Sequence, residues 1–294
     1  MITRVTDQMI YANSQANLQT QLQQLSTLQN QASSGNAISK PSDNPTGIAM
    51  SLALKREQAA NAQYAGNAQD ASTWLTAVSG ALSSSVTALQ SVRSLVVGTG
   101  DPTLSATAKG AIVSQLQGLK AQLLSQANTS YLGRPVFAGN SDAGAAFNGP
   151  GYSYTGTPGA TVSRSISATS TVAVSGDGAA TYGTGSNSVF ALIDTIVSGI
   201  QSGTAVTSQL SAIDSRISAV SAQQSAVAAN YNQVQQGQAT LTAQATSLTT
   251  QRSNVDGVDL TKALVELSAQ QNAYQAALGV TSKALQPTLM SFLR

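Results

Sequence analysis

Apolar residues return at steps of three, four and seven along most of this chain, and the period is clearest at its two ends. Near the N-terminus Leu18, Leu22, Leu25 and Ala32 follow one another at four-, three- and seven-residue steps. Near the C-terminus Leu260, Leu264, Leu267, Tyr274, Leu278, Leu285 and Phe292 keep the same spacing up to the third-last residue. A stripe at this spacing is one face of a helix, and when sustained it buries itself only against another helix. Both ends therefore read as packing surfaces, which predicts an assembled protein rather than an isolated globule. Gln271, Thr281 and Thr288 interrupt the C-terminal seam, as polar residues that set register do.

Between the ends the pattern changes twice. The first helix is expected over 3–34, closed by Ser33-Ser34-Gly35-Asn36, with Gly35 placed for the left-handed conformation past a helix end. Pro41 and Pro45 forbid a continuous helix. Asp43 or Asn44 is placed to cap the next helix, with Pro45 in its first turn. That helix, over 46–98, carries Ile48, Leu52, Tyr64, Trp74, Leu75, Val78, Leu82, Val86, Leu89 and Val92. A shorter one over 105–127 presents Ile112, Leu116, Leu119 and Leu123. From Gly133 to Gly185 glycine, proline, serine and threonine dominate, and short alternating runs at 151–155, 162–166 and 171–174 predict strands. Gly149-Pro150-Gly151, Thr157-Pro158-Gly159 and Asp177-Gly178 read as the turns between them. Helix resumes near Ser188, breaks at Gly203-Thr204 and runs on to Arg252.

The expected fold is mainly α with a small inserted β domain, its two chain ends forming long antiparallel coiled-coil helices. Residues 1–45 and 255–294 are read as the two parts of a terminal helical assembly domain. Residues 46–132 and 188–254 are read as a central helical bundle, and 133–187 as an inserted, β-rich outer domain.

Composition sharpens the assembly reading. Charged residues make up 9% of the 294 positions, against about 25% in an average soluble protein. A nearly uncharged helical surface suits packing against neighbours. The net charge is +2, and Lys55-Arg56, the one adjacent basic pair, is followed by Glu57. A nucleic-acid partner is set aside, since it needs a basic stripe. No apolar run is long enough to cross a membrane. Met1 to Gln19 holds no apolar core of a signal peptide, so no Sec-type signal is expected, and any secretion would follow a route that needs none.

Candidate chemistry is sparse. With no cysteine and no histidine, disulfides, thiolate metal sites, cysteine nucleophiles and imidazole acid–base catalysis are absent. Neither a Gly-x-Ser-x-Gly elbow nor a phosphate-binding loop is present. Asp256 and Asp259 sit three apart, as carboxylates at a helix start do. Asp177 reads as part of a hairpin turn rather than a calcium ligand. Trp74 falls on an apolar helical stripe and reads as core. Arg134 is placed to pair with a carboxylate where helix meets insert. No catalytic residue, cofactor or metal is expected, and the chain does not read as an enzyme.

Four segments resemble a known family. Ser34-Gly35 and Ile38-Ser39-Lys40-Pro41-Ser42-Asp43-Asn44-Pro45-Thr46-Gly47-Ile48-Ala49 resemble the flagellin-type N-terminus. The core Pro41, Ser42, Asp43 and Pro45 looks closer to the hook–filament junction proteins than to flagellins. Gly133, Arg134, Phe137, Ala138 and Gly139, followed by Phe147, resemble the Gly-Arg-x-x-Phe-Ala-Gly segment of those junction proteins, which flagellins generally lack. Val255-Asp256-Gly257-Val258-Asp259-Leu260 and the following Leu264, Leu267, Gln271 and Tyr274 are similar to the same family. The final Leu289-Met290-Ser291-Phe292-Leu293-Arg294 is similar to both groups.

The resemblance implies a flagellin-like fold and a structural role in the bacterial flagellum, outside the cell. It implies export through the flagellar type III apparatus with an uncleaved signal. It further implies an adapter ring at the hook–filament junction. The implied partners are further copies of the chain in the ring, the hook-side junction protein (hook-associated protein 1), flagellin and a flagellar export chaperone. Leu18, Leu22, Leu25, Leu260, Leu264, Leu267, Tyr274, Leu278, Leu285 and Phe292 are then the expected assembly interface. Two other readings stand beside it: a short flagellin that builds the filament itself, and a secreted coiled-coil adhesin with a β head.

Overall fold

Caps and glycines place the helix ends close to where the sequence puts them. The computed structural model describes residues 2–38, 40–101 and 103–284. Leu285, Thr288 and Phe292 of the C-terminal seam lie outside the described residues. Helix α1 spans Ile2–Ser34 and stops at Gly35, whose φ of 68° is left-handed. Helix α2 spans Pro45–Gly98. Of the two candidate caps, Asn44 is the one used: its side-chain oxygen accepts from the Gly47 amide at 2.9 Å, with Pro45 at the first helical position. Helix α3 spans Ala106–Ala127 and is capped by Ser105.

The insert follows as three antiparallel two-stranded ribbons. Strand β1 (Ser130–Tyr131) pairs with β2 (Arg134–Pro135). Strand β3 (Phe147–Asn148) pairs with β4 (Ser153–Tyr154). Strand β5 (Ser163–Ser165) pairs with β6 (Thr171–Ala173). The strands are shorter than their alternating runs because each pairs only with its hairpin partner and joins no wider sheet. One turn reading is corrected. Asp177-Gly178 does not turn a hairpin; Asp177 caps the short helix α4, Gly178–Tyr182. Its two carboxylate oxygens accept from the Ala180 amide at 3.1 Å and the Gly159 amide at 2.9 Å. Helix α5 spans Val189–Ser202, begins at the Ser188 cap and ends at left-handed Gly203. Helix α6 spans Leu210–Asp256 and α7 spans Leu260–Ala284.

The fold is thus mainly α, with long helices at both chain ends and a small strand-bearing insert. It divides into two units, one of Met1–Ala59 with Ala245–Arg294 and one of Ala60–Gln244. Helices α2 and α6 contribute to both.

The second unit has a conventional apolar interior. On α2 the buried residues Ala68, Ala71, Leu75, Val78, Leu82, Ser85, Leu89, Val92 and Val96 recur at alternating steps of three and four. On α6 Ile213, Val220, Val227, Val234 and Leu241 are buried at every seventh position. Both are heptad seams. Ala, Val and Leu at these positions let long helices approach closely and bury apolar area along their length.

The first unit differs. Among the described residues, Leu54 and Ala263 are its only buried apolar side chains. Its other buried residues are the polar Ser51 and Asp256, which hydrogen-bond to each other at 2.7 Å.

Candidate assembly surface

The first unit is built on the two chain ends. Helices α1 and α7 pack along each other, and a backbone clasp sets their antiparallel register. The Ala37 amide donates to the Asp256 carbonyl at 2.7 Å, and the Val258 amide donates to the Gly35 carbonyl at 3.2 Å. The Gln31 side chain donates to the Ala37 carbonyl at 2.8 Å and holds the turn beneath. Gly257 is required here, since a Cβ would lie 2.3 Å from the Ser253 carbonyl oxygen. Asp259 starts α7 as a cap, accepting from the Thr261 and Lys262 amides at 2.9 and 3.1 Å. Asp256, read in the sequence as a helix-start carboxylate, instead ends α6. Ser51 and Arg252 hold it there, the latter at 3.3 Å.

From the clasp outward, less exposed positions recur on α1 at Ser14, Leu18, Gln21, Leu25, Leu28 and Ala32. On α7 they recur at Ala263, Leu267, Gln270, Tyr274, Ala277 and Thr281. Both sets step by four and three, the period of a coiled-coil seam. A third of the seam is polar, at Ser14, Gln21, Gln270 and Thr281. The Gln270 side-chain nitrogen lies 3.3 Å from both the Gln21 carbonyl and the Gln24 side-chain oxygen. The side-chain oxygen of Gln21 is buried without a hydrogen-bond partner.

The residues expected at an assembly interface therefore fall on two different faces. Leu18, Leu25, Leu267 and Tyr274 are partly buried in the seam between α1 and α7. Leu22, Leu260, Leu264 and Leu278 stand outside it, 43–54% exposed. Met9, Met50, Leu52, Val265 and Val280 join them as exposed large apolar side chains of the same unit. Leu52 reads in the sequence as part of the buried stripe of α2, yet it is 54% exposed. Outside this unit, Val97 and Leu132 are the only exposed large apolar side chains among the described residues. The unit thus carries nine of the eleven exposed large apolar side chains among the described residues and buries two apolar side chains.

Pro41, Ser42, Asp43 and Pro45 form an exposed turn leading into α2. The Lys40 amide donates to the Asp43 carboxylate at 2.9 Å, and the Asp43 amide to the Lys40 carbonyl at 3.0 Å. A Cβ on nearby Gly47 would lie 2.6 Å from Ile38 Cδ1, so the turn folds down onto the helix start.

Gly133, Arg134, Phe137, Ala138 and Gly139 have a different place, in the second unit. Phe137 is fully buried and meets Tyr182 edge-on at 5.3 Å. Phe147, Tyr182 and Phe190 extend the cluster at 5.4–6.0 Å between ring centres. The Phe137 carbonyl accepts from the Tyr154 hydroxyl at 2.8 Å and the Gly178 amide at 3.1 Å. Ala138 is buried, and Gly139 takes a φ of 58° where a Cβ would lie 2.4 Å from the Ala160 carbonyl oxygen. Arg134 pairs with Asp142 at 3.0 Å, within the insert rather than with a helix. This segment is the centre of the insert's core. Burial raises the Tyr182 phenol well above its ordinary pKa, against the opposing hydrogen bond to Ser85. Burial also pushes Lys120 down, but hydrogen bonds with Asp194 and Tyr152 outweigh it and hold the ammonium above its usual value.

The sequence reading missed Gln21, Leu28, Ala263, Gln270 and Ala277 in the inner seam. Their only signal is unbroken heptad continuity, which small and polar residues carry weakly.

Among the described residues no helix is long and apolar enough to cross a membrane. Residues 5–142 match the bacterial flagellin N-terminal helical region, and residues 210–293 match the bacterial flagellin C-terminal helical region. Over 146 residues the chain is 31% identical to flagellar hook-associated protein 3 of Salmonella typhimurium, covering 49% of this chain and 46% of that protein. It thus spans about half the length of the curated relatives it matches. The crystal structure of flagellar hook associated protein-3 from Legionella pneumophila superposes with a TM-score of 0.63 at 14% identity, over 69% of this chain and 98% of that one. The flagellar junction protein FlgL from the same organism gives 0.59 at 15% identity, over 70% and 99%. At these identities the likeness is one of fold. With both flagellin helical regions matched and the hook-associated protein as its curated relative, the chain belongs to the bacterial flagellin family, with the hook–filament junction proteins as its kin.

Proposed function

We propose that this protein is a structural subunit of the bacterial flagellum that joins the hook-side junction protein, hook-associated protein 1, to flagellin as an adapter at the hook–filament junction. The observation that carries this reading is the first unit, which exposes nine large apolar side chains among its described residues and buries two apolar ones. Helices gain most of their stability from packing. A pair whose seam is a third polar and whose outer face carries exposed leucines gains further stability from neighbours. Each exposed leucine buried by a neighbour contributes about 1.5–3 kcal/mol, so ordering of the ends is coupled to assembly. The partly polar seam fits a chain exported through the flagellar channel before its ends pair, with a flagellar chaperone covering them until then. The turn at Pro41–Pro45 and the Phe137 core support the junction reading over a filament-forming flagellin.

The test is immunogold electron microscopy of intact flagella with antibody against residues 135–187. A single labelled band where hook meets filament is expected. Label along the whole filament would make the chain a filament subunit and overturn the proposal.

A further inference from the structure

Asparagine or aspartate stands directly before glycine at three places in the chain: Asn148-Gly149, Asp177-Gly178 and Asp256-Gly257. At such a step the glycine amide nitrogen can attack the side-chain carbonyl before it and close a five-membered imide ring. Glycine favours the closure because, lacking a Cβ, its backbone reaches conformations closed to other residues. The structure separates the three steps.

Two of them are locked. The carboxylate of Asp177 accepts from the Ala180 and Gly159 amides, and the Gly178 amide donates to the Phe137 carbonyl at 3.1 Å. Asp256 is buried, and its carboxylate accepts from Ser51 and Arg252. The Gly257 amide donates to the Ser253 carbonyl at 2.9 Å. In both steps the attacking nitrogen is engaged, and its target is a hydrogen-bonded carboxylate, a poorer electrophile than an amide.

The third step is open. Asn148 is the exposed end of β3, and Gly149, Pro150 and Gly151 after it are exposed as well. Among the described residues neither the Asn148 side chain nor the Gly149 amide makes a hydrogen bond. A Cβ placed on Gly149 would touch nothing within 4 Å, so the ring has room to close. Asparagine is also one of the chemically labile side chains.

We propose that Asn148 is a site of spontaneous modification, converted through the imide to aspartate and isoaspartate. The bond from the Gly149 nitrogen to Asn148 Cγ forms, the Cγ–Nδ2 bond breaks, and the side-chain nitrogen leaves as ammonia with the proton of the Gly149 amide. Water then opens the ring. Attack at Cγ gives aspartate, and attack at the main-chain carbonyl carbon gives isoaspartate. Water is the one reagent consumed, and nothing is oxidised or reduced. Either product adds a negative charge to a chain of net charge +2. Isoaspartate also routes the main chain through the side chain, one carbon longer, at the residue that pairs with Ser153 and follows Phe147 of the aromatic cluster. The chemistry needs no partner, so it stands apart from the role proposed above.

The test uses the purified full-length chain, held folded at neutral pH, digested at intervals and weighed by mass spectrometry. A digest at time zero corrects for conversion during handling. The peptide holding Asn148 should become about one dalton heavier, and it should accept a methyl group from a methyltransferase specific for isoaspartate. It should convert at least about tenfold faster than the peptides holding Asn140 and Asn187, each followed by serine rather than glycine. Gly149→Ala fits the open space and should leave the melting temperature unchanged while slowing the conversion about tenfold. An Asn148 that stays an amide in the folded chain, or converts no faster than Asn140 and Asn187, overturns the inference. Equal rates in the unsubstituted and Gly149→Ala chains overturn it too.

Discussion

The Ser51 hydroxyl donates to the Asp256 carboxylate at 2.7 Å, across 205 residues of chain, and both side chains are buried. It ties the start of α2 to the end of α6 beneath the clasp that registers α1 against α7. Removing the donor leaves a buried carboxylate one hydrogen bond short, with Arg252 as its remaining side-chain partner. Ser51→Ala should therefore destabilise the first unit by about 1–3 kcal/mol. Faster hydrogen exchange of amides in 245–256, with those of the second unit unchanged, is the expected reading.

The two faces of the terminal helices should separate in mutants. Leu264→Asp with Leu278→Asp places charges on exposed positions and should change monomer stability by no more than about 0.5 kcal/mol per site, while abolishing incorporation into flagella. Leu267→Asp puts a charge into the seam between α1 and α7 and should unfold the pair, seen as lost helicity by circular dichroism. Normal flagella carrying the first variant would count decisively against the proposed assembly surface.

Gln21 offers the opposite sign. Its side-chain oxygen is buried and unpartnered, while Gln270 bonds to the Gln21 backbone carbonyl. Gln21→Leu keeps that bond and removes the orphan. The helix pair should gain about 1–3 kcal/mol, measured as a higher temperature for the α1–α7 transition.

How much of this was legible in the sequence differs by kind of feature. Helix ends were legible because Asn44, Ser105, Gly35 and Gly203 act locally, through hydrogen bonds and φ angles within a few residues. The face each end helix turns inward was not. Leu18, Leu22 and Leu25 satisfy one helical spacing together, and spacing does not say what a face meets. Only the partner helix decides that Leu25 is covered and Leu22 is not. Asp177 was misread for a related reason. An Asp-Gly pair suits a turn, but here a neighbouring backbone amide, Gly159, and a helix start compete for the same carboxylate. The Phe137 segment was legible as a motif, while its role as a buried hub depends on Phe147, Tyr182 and Phe190 from three other elements.

That hub makes a sharp core prediction. Phe137→Ala should cost about 3–5 kcal/mol, the range for removing a buried ring. Gly139→Ala should disrupt the insert as well, since its Cβ would lie 2.4 Å from the Ala160 carbonyl oxygen in a left-handed backbone. The near-ultraviolet circular dichroism of the aromatic cluster should collapse in both, with the far-ultraviolet helical signal largely kept.

Alkali should loosen the second unit. Burial raises the phenols of Tyr182, Tyr152 and Tyr154 above the ordinary tyrosine value. The folded chain then holds protons that the unfolded chain releases. The stabilisation is complete below the unfolded value of about 10 and declines as pH rises from there towards the folded values. Melting temperature should fall from pH 10 upward, and Tyr182→Phe should flatten the fall. A melting temperature constant from pH 8 to pH 11 would contradict this account.

The pairing of the two chain ends also fixes an order of events. A contact between Gln21 and Gln270 spans 249 residues, and closing so long a loop carries an entropic cost before any contact rewards it. The second unit is continuous in sequence from 60 to 244 and brings Asn61 within 3.2 Å of Gln244 when it folds. That shortens the effective loop between the ends from 249 residues to the two flanking stretches 21–61 and 244–270. Loop closure then predicts that the α1–α7 pair folds after the second unit and opens before it, which hydrogen exchange would show as faster exchange in 2–34 and 260–284 than in 60–244.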